Sequence, residues 1–259
     1  MKKYLYLLMA LALLAGCKSR GNKTQEQGAD SLQVEAIAPL DTLAAIQAAK
    51  ALPEEPVFDI VTSMGTIRVK LYKDTPLHRD NFAKLALSGY YDNVLFHRVI
   101  DGFMIQGGDP FTRDTTFVDR YGEGGPGYTI AAEMRDAEGN ALHRHKKGAL
   151  AAARRGDLAN PLKESSGSQF YVVVNPENCK HLDGEYTVFG EVVGGQNVID
   201  RIARIQTDRY DRPLRPVTIE RIRPNTQLNK RALEEEQRAR EAAENPDPAQ
   251  GEETPKEKP

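Results

Sequence analysis

The chain has 259 residues, 40% of them hydrophobic and 28% charged, with a net charge of −2. That length supports one domain with a substantial core or two small ones, and the composition suits a globular protein rather than a disordered one. Basic residues are scattered rather than massed, which excludes an electrostatic footprint for nucleic acid, and no nucleic-acid partner is expected.

The first residues carry an address. Lys2 and Lys3 precede an apolar run, Tyr4 to Leu14, and small residues Ala15 and Gly16 lead to Cys17. These are the three parts of a secretory signal, and the run is too short for the ~20 residues that span a bilayer. Leu14-Ala15-Gly16-Cys17 resembles the lipobox of bacterial lipoproteins. The resemblance implies a signal peptide over 1–17, lipidation of Cys17, and stable membrane anchoring by several acyl chains. Lys18, not Asp, occupies position two, counting the cysteine as one, which in that family implies the outer membrane, here facing the periplasm. With Cys17 consumed by lipid, Cys179 is left as a free thiol, and a partly buried structural cysteine is expected there.

Residues 18–56 read as a flexible tether. Lys18 to Asp30 is polar, and Leu40 to Leu52 has the spacing of a short helix that Pro53 and Pro56 stop. From Val57 the pattern alternates. Phe58 and Ile60, then Ile67, Val69 and Leu71, flank Ser63-Met64-Gly65 as a β-hairpin. Thr75-Pro76 opens a helix with Thr75 as N-cap. Further strands are predicted over 95–99, 103–106, 149–153, 169–174, 187–193 and 217–222, with a second helix over 196–205. Eight strands and two helices predict a mainly β domain over 57–224, a closed antiparallel barrel capped by two α-helices. Residues 225–259 form a charged C-terminal segment, with a solvated helix over 228–243 and a disordered tail from Asn245.

Three blocks carry the chemistry. The first is Phe96-His97-Arg98-Val99-Ile100-Asp101-Gly102-Phe103-Met104-Ile105-Gln106-Gly107-Gly108-Asp109. The second is Ser166-Gly167-Ser168-Gln169-Phe170-Tyr171-Val172, and the third runs from His181-Leu182-Asp183-Gly184 to Gly190. In this order they resemble the cyclophilins, a family of peptidyl-prolyl cis–trans isomerases, over about residues 57 to 223. The resemblance implies the eight-stranded cyclophilin barrel and an isomerase that needs no cofactor, metal or covalent intermediate. Its partners would be proline-containing polypeptides, envelope proteins during folding, met by a monomer on a lipid anchor.

The residue types suit that chemistry. An X–Pro bond rotates over a barrier of ~18–20 kcal/mol, and the twisted state has a more basic prolyl nitrogen. A fixed donor aimed at that nitrogen favours the twisted amide over either planar one. The resemblance makes Arg98 that donor and Gln106 its catalytic partner. It makes Phe103, Met104, Tyr171 and Leu182 the proline pocket, and Gln169 part of its polar wall. Strand alternation by itself would separate Phe103 from Met104. Ala153 and Arg154 resemble the segment that pairs with the peptide, and His181 and Tyr186 complete the substrate-binding set. His181 stands where many relatives have Trp, Tyr186 where many have His, Tyr171 for Phe and Arg154 for Asn. His97 is expected to point away from the site.

Other patterns carry less. Gly122, Gly124 and Gly127 match a dinucleotide motif formally, but Pro126 lies inside it and an extended piece follows. His143 and His145 lie among cations and read as a solvated basic turn, not a metal site. Ser165 to Ser168 lack a nucleophile elbow. Two further readings stand beside the enzyme: a barrel that grips extended segments without turnover, and a charged C-terminal helix as the main interaction element.

Overall fold

The computed structural model describes residues 42–244; the signal segment, Cys17, most of the tether and the tail from Asn245 lie outside them. Eleven strands and four α-helices follow in order. The helices are α1 (Thr42–Lys50), α2 (Pro76–Leu87), α3 (Gln196–Ala203) and α4 (Thr226–Glu244). The strands are β1 (Val57–Thr62), β2 (Gly65–Leu71), β3 (Val94–Leu95), β4 (Arg98–Ile100), β5 (Met104–Gly107), β6 (Thr129–Ile130), β7 (Ala149–Ala152), β8 (Ser165–Ser166), β9 (Phe170–Val173), β10 (Val188–Gly194) and β11 (Thr218–Pro224). No helix among the described residues is long and apolar enough to cross a membrane.

Nine strands form one curled sheet in the order β3-β11-β1-β2-β10-β7-β9-β5-β4, and β6 pairs with β8 alone. The closed eight-stranded barrel expected from the pattern is therefore corrected: the ladder is open, with β3 and β4 as its edges. The extra strand comes from residues 95–99, where one strand was expected. Phe96 N–H donates to Val217 of the β11 side at 2.9 Å, whereas His97 N–H donates to Gln106 of β5 at 3.0 Å. The chain changes partner between two consecutive residues, and that corner splits the run into β3 and β4.

The sheet encloses a core built on one alternation of its strands: Phe58, Ile60, Ile67, Val69, Val99, Ile105, Leu150, Val172 and Ile222 are all buried there. α2 lays Phe82 into it, edge-on to Phe58 and Phe170. Thr75 sits at the N-cap of α2, yet its side chain makes no capping bond. Glu133 does so instead, its two oxygens accepting from the amides of Leu77 (2.9 Å) and His78 (3.0 Å). A carboxylate near the positive end of a helix satisfies orphan donors and the helix dipole together. The two helices expected within 57–224 are α2 and α3; the short helix expected before them is α1, which packs on α2, and the charged helix expected after them is α4, which is fastened to β1. α4 is largely exposed as expected, except that Asn229 is buried and both accepts from and donates to the Val57 backbone.

Candidate functional site

The site follows from the register of four strands. Arg98 lies opposite Gln106, Gln106 opposite Tyr171, and Tyr171 opposite Ala151. Two residues along, Ile100 lies opposite Met104 and Met104 opposite Val173. Side chains alternate across a sheet, so these two rows share the face away from the main core. The intervening row, Val99, Ile105, Val172 and Leu150, belongs to that core.

The outward face carries its own apolar cluster. Met104, Tyr171, Leu182, Val173, Val188, Ala149, Ala151 and Cys179 are buried in it, with Phe103, Ala153 and Tyr186 packed half-buried at its margin. It has a buried floor and a half-exposed rim. Phe103 joins Met104 there because β5 begins at Met104. Phe103 lies in the preceding turn, its N–H bonded to Ile100 and its carbonyl accepting from Val174 at 2.9 Å, so strand alternation does not govern it. His181 is exposed, and its ring stacks on Phe103 at 6.3 Å and 16°. Tyr186 meets Tyr171 edge-on at 6.1 Å. Cys179 is fully buried, and burial pushes its thiol up to about 11.

The polar wall is a relay of amides. Gln106 Nε2 donates to Gln169 Oε1 at 3.0 Å. Gln169 Nε2 donates in turn to the carbonyls of Gly122 (2.9 Å) and Gly124 (2.7 Å). That glycine loop is pinned by the fully buried Asp109, whose carboxylate accepts from the amides of Phe111, Gly122 and Gly124. Burial raises the Asp109 carboxyl against the lowering effect of those three amides. The family resemblance implies that Gln106 and Gln169 form a wall that holds the peptide carbonyl and steadies the arginine. The Cα positions of Arg98 and Gln106 are partners, but the side-chain bond of Gln106 goes to Gln169, and Arg98 pairs instead with Asp211, Nε to Oδ2, at 3.3 Å.

The segment after β7 also has a defined use. Ala153 N–H donates to Gln169 and its carbonyl accepts from Ser166. Arg154 is thus the first residue past β7 whose backbone enters no hydrogen bond among the described residues. Its side chain folds back over the Tyr186 ring at 4.4 Å, with Nε on the Glu185 carbonyl.

Two histidines differ in how well the sequence foretold them. His97 stays out of the apolar cluster, as expected, with its Nε2 toward Gly122. It is buried with neither ring nitrogen hydrogen-bonded, and burial lowers it to about 4, with Arg98 adding slightly. His145 is not in a solvated turn; its side chain is fully buried. Asp183 Oδ1 lies 2.8 Å from its Nδ1, and the Tyr171 hydroxyl 2.9 Å from its Nε2. The carboxylate fixes the proton on Nδ1, so Nε2 accepts from the tyrosine. Asp109, His145, Asp183 and Asp211 were not selected from the sequence as site residues, although Asp109 and Asp183 lie inside the quoted blocks.

A cleft of about 890 Å³ opens elsewhere, between α1, α2 and α4, lined by Ile46, Leu52, Ala83 and Leu233 with Arg79 and Arg240 at its rim. It contains none of the candidate site residues named above.

Residues 57–224 match the family described as cyclophilin type peptidyl-prolyl cis-trans isomerase/CLD. The chain is 37% identical to peptidyl-prolyl cis-trans isomerase CYP18-2 of Arabidopsis thaliana over 169 residues, 65% of this chain and 93% of that protein. It is 40% identical to a peptidyl-prolyl cis-trans isomerase-like 2 of Cryptococcus neoformans, covering 63% of this chain but only 26% of that longer protein. A cyclophilin of Cryptosporidium parvum, solved in the presence of the dipeptide Ala-Pro, superposes with a TM-score of 0.56 at 27% identity over 66% of this chain and 99% of that one. An arginine and a glutamine at paired positions beside an apolar cluster, on a curled sheet of this topology and with this match, place the chain in the cyclophilin-type family of peptidyl-prolyl cis–trans isomerases.

Proposed function

We propose that the isomerase acts on X–Pro bonds of bacterial envelope proteins as they fold, with Arg98 selecting the twisted amide, from a lipid anchor at Cys17. The observation that carries the mechanism is the common face of Arg98, Gln106, Met104 and Tyr171. A proline ring resting on Met104, Tyr171 and Leu182, walled by Phe103, would bring its nitrogen toward the guanidinium at the end of the same row. Arginine keeps its charge at any working pH and presents several donors in a rigid fork. A donor bonded more strongly to the pyramidal nitrogen than to the planar amide lowers the barrier, and ~1.4 kcal/mol of such preference gives tenfold in rate.

Gln106 keeps its amide oxygen and one N–H available while its other N–H is spent on Gln169. It is suited to hold the carbonyl before the proline. The backbone of Arg154 offers an edge for the extended peptide, and His181 and Tyr186 border the residues around the proline. The dipeptide Ala-Pro, in whose presence the Cryptosporidium parvum cyclophilin was solved, carries an X–Pro bond of this class. In this reading residues 1–17 address the chain, 18–56 space it from an outer membrane facing the periplasm, 57–224 perform the isomerisation and 225–259 extend beyond.

The test is turnover of a proline peptide by the full chain beside Arg98→Ala. A loss of about a hundredfold or more, with the fold intact by circular dichroism, is the expected result, since two powers of ten correspond to ~2.7 kcal/mol of transition-state preference. Equal rates would defeat the arginine reading. For the anchor, Cys17→Ser is expected to move the protein from the membrane to the soluble fraction; persistence in the membrane fraction would defeat it.

A further inference from the structure

Arg98 lies on an edge strand, so the backbone N–H of the next residue has no sheet partner. That N–H, of Val99, donates to the carbonyl of Asp211 at 2.8 Å. The same residue brings its carboxylate Oδ2 to 3.3 Å from Arg98 Nε. One aspartate thus holds the arginine's strand and its side chain together. We propose that Asp211 is a positioning residue for Arg98, fixing which of its donors face the proline hollow; the proposal rests on the arginine reading above.

The loop that carries Asp211 is built to hold one shape. Asp208 N–H donates to Arg212 O at 2.8 Å, and Leu214 N–H to Gln206 O at 2.8 Å. The Asp208 carboxylate accepts from the amides of Tyr210 and Arg212 and from Arg212 Nε. Arg212 also donates to the carbonyl of Val118. At the tip of this loop Asp211 takes φ +63°, a left-handed conformation that a non-glycine residue adopts rarely and Asp or Asn most readily.

The chemistry of the contact is selective. Asp211 engages Nε, and no other acceptor among the described residues is bonded to Arg98. The four N–H groups of the two terminal nitrogens therefore remain for a substrate. Both side chains are about two-fifths exposed, at 43% and 41%, and an ion pair this wet adds little to stability. Its effect is on orientation: an arginine side chain has many rotamers, and only a few aim a donor at a fixed point. Solvent screening also keeps the carboxylate from cancelling much of the guanidinium's pull.

The left-handed φ supplies clean variants. Asp211→Gly removes the carboxylate while suiting the backbone, and Asp211→Asn keeps the backbone preference and a neutral acceptor. In the full chain kcat is expected to fall about tenfold for the glycine variant and about threefold for the asparagine variant, with KM within about twofold, since lost orientation acts on the transition state. The Arg98 Nε–H resonance in an NMR spectrum is expected to move in both variants, further in the glycine variant than in the asparagine variant, because its carboxylate acceptor is removed in one and replaced by a neutral acceptor in the other; this graded order follows the acceptor rather than the loop. Wild-type kcat in Asp211→Gly, or an Arg98 Nε–H resonance unchanged by the substitution, would overturn the proposal. Arg98→Ala measured alongside separates the cases: if it retains wild-type turnover, the arginine reading itself fails; if it is inactive while Asp211→Gly is unaffected, only the role of Asp211 fails.

Discussion

The Tyr171 hydroxyl lies 2.9 Å from His145 Nε2, and this bond turns the pocket's most buried phenol away from any substrate. Tyr171 is 5% exposed and its phenol is raised well above the usual value by burial, so it stays protonated and donates. Tyr171→Phe keeps the apolar wall and leaves Nε2 as a buried acceptor with no partner. A loss of about 1–3 kcal/mol in stability is expected, the cost of an unsatisfied buried group, with turnover of a proline peptide within a few-fold of wild type. Urea unfolding and the peptide assay check the two halves; a large loss of turnover at unchanged stability would show that the hydroxyl serves the substrate instead.

His97 gives the fold an acid-side weakness. Its folded value is about 4, against ~6.5 in an unfolded chain. Between these the unfolded state binds the extra proton, so the contribution to stability is complete above ~6.5 and declines as pH falls through 6.5 toward 4. His145, lowered by burial despite Asp183, acts in the same direction. About 2 kcal/mol is expected to be lost between pH 7 and pH 5 through His97, at 1.36 kcal/mol per unit. Urea midpoints of wild type and His97→Leu at pH 7, 6 and 5 test this, and parallel curves would refute it.

The rows of the site were legible because two local signals agreed: strand alternation set Met104 and Gln106 on one face, and the quoted blocks named them. What was not legible was joined across long stretches of chain. Asp211 reaches Arg98 from 113 residues away through one carboxylate in a loop, and no periodicity marks such a residue. His145 misled because Arg144, Lys146 and Lys147 signal solvent; the turn buries one side chain among neighbours that stay outside. Thr75 has the right type for a cap, yet a carboxylate from residue 133 reached the same amides. The run 95–99 has the composition of one strand, and only the identity of its partners divides it.

Gly124 is required by the anchor of the polar wall. A Cβ there would lie 2.0 Å from Asp109 Oδ1, and that carboxylate cannot retreat because three amides and full burial hold it. Gly124→Ala must therefore push the loop off Asp109 or off Gln169. Overpacking of this kind costs typically about 1–3 kcal/mol, and Gln106 loses the support that Gln169 gives it. Lower stability together with reduced turnover is expected. Gly125→Ala, where an added Cβ meets nothing within 4 Å, is the control and should match wild type in both. If Gly124→Ala also matches wild type, the glycine loop does not support the wall.

Asn229 joins the C-terminal helix to the sheet through one backbone position. Its Oδ1 accepts from Val57 N–H at 2.7 Å and its Nδ2 donates to Val57 C=O at 3.0 Å. Asn225, next to the end of β11, adds its own N–H to the same carbonyl and caps α4 through Leu228. Val57 opens β1 and is itself 9% exposed, so water replaces these bonds poorly. Asn229→Ala strands the N–H outright and leaves the carbonyl with Asn225 alone. The expected cost is about 1–3 kcal/mol, set by the one orphaned donor. Arg238→Ala, on the exposed part of the same helix, should cost under ~0.5 kcal/mol. Thermal unfolding of the full chain with each substitution distinguishes a helix clamped by a buried amide from one that only rests on the surface; equal effects of the two would rule out the clamp.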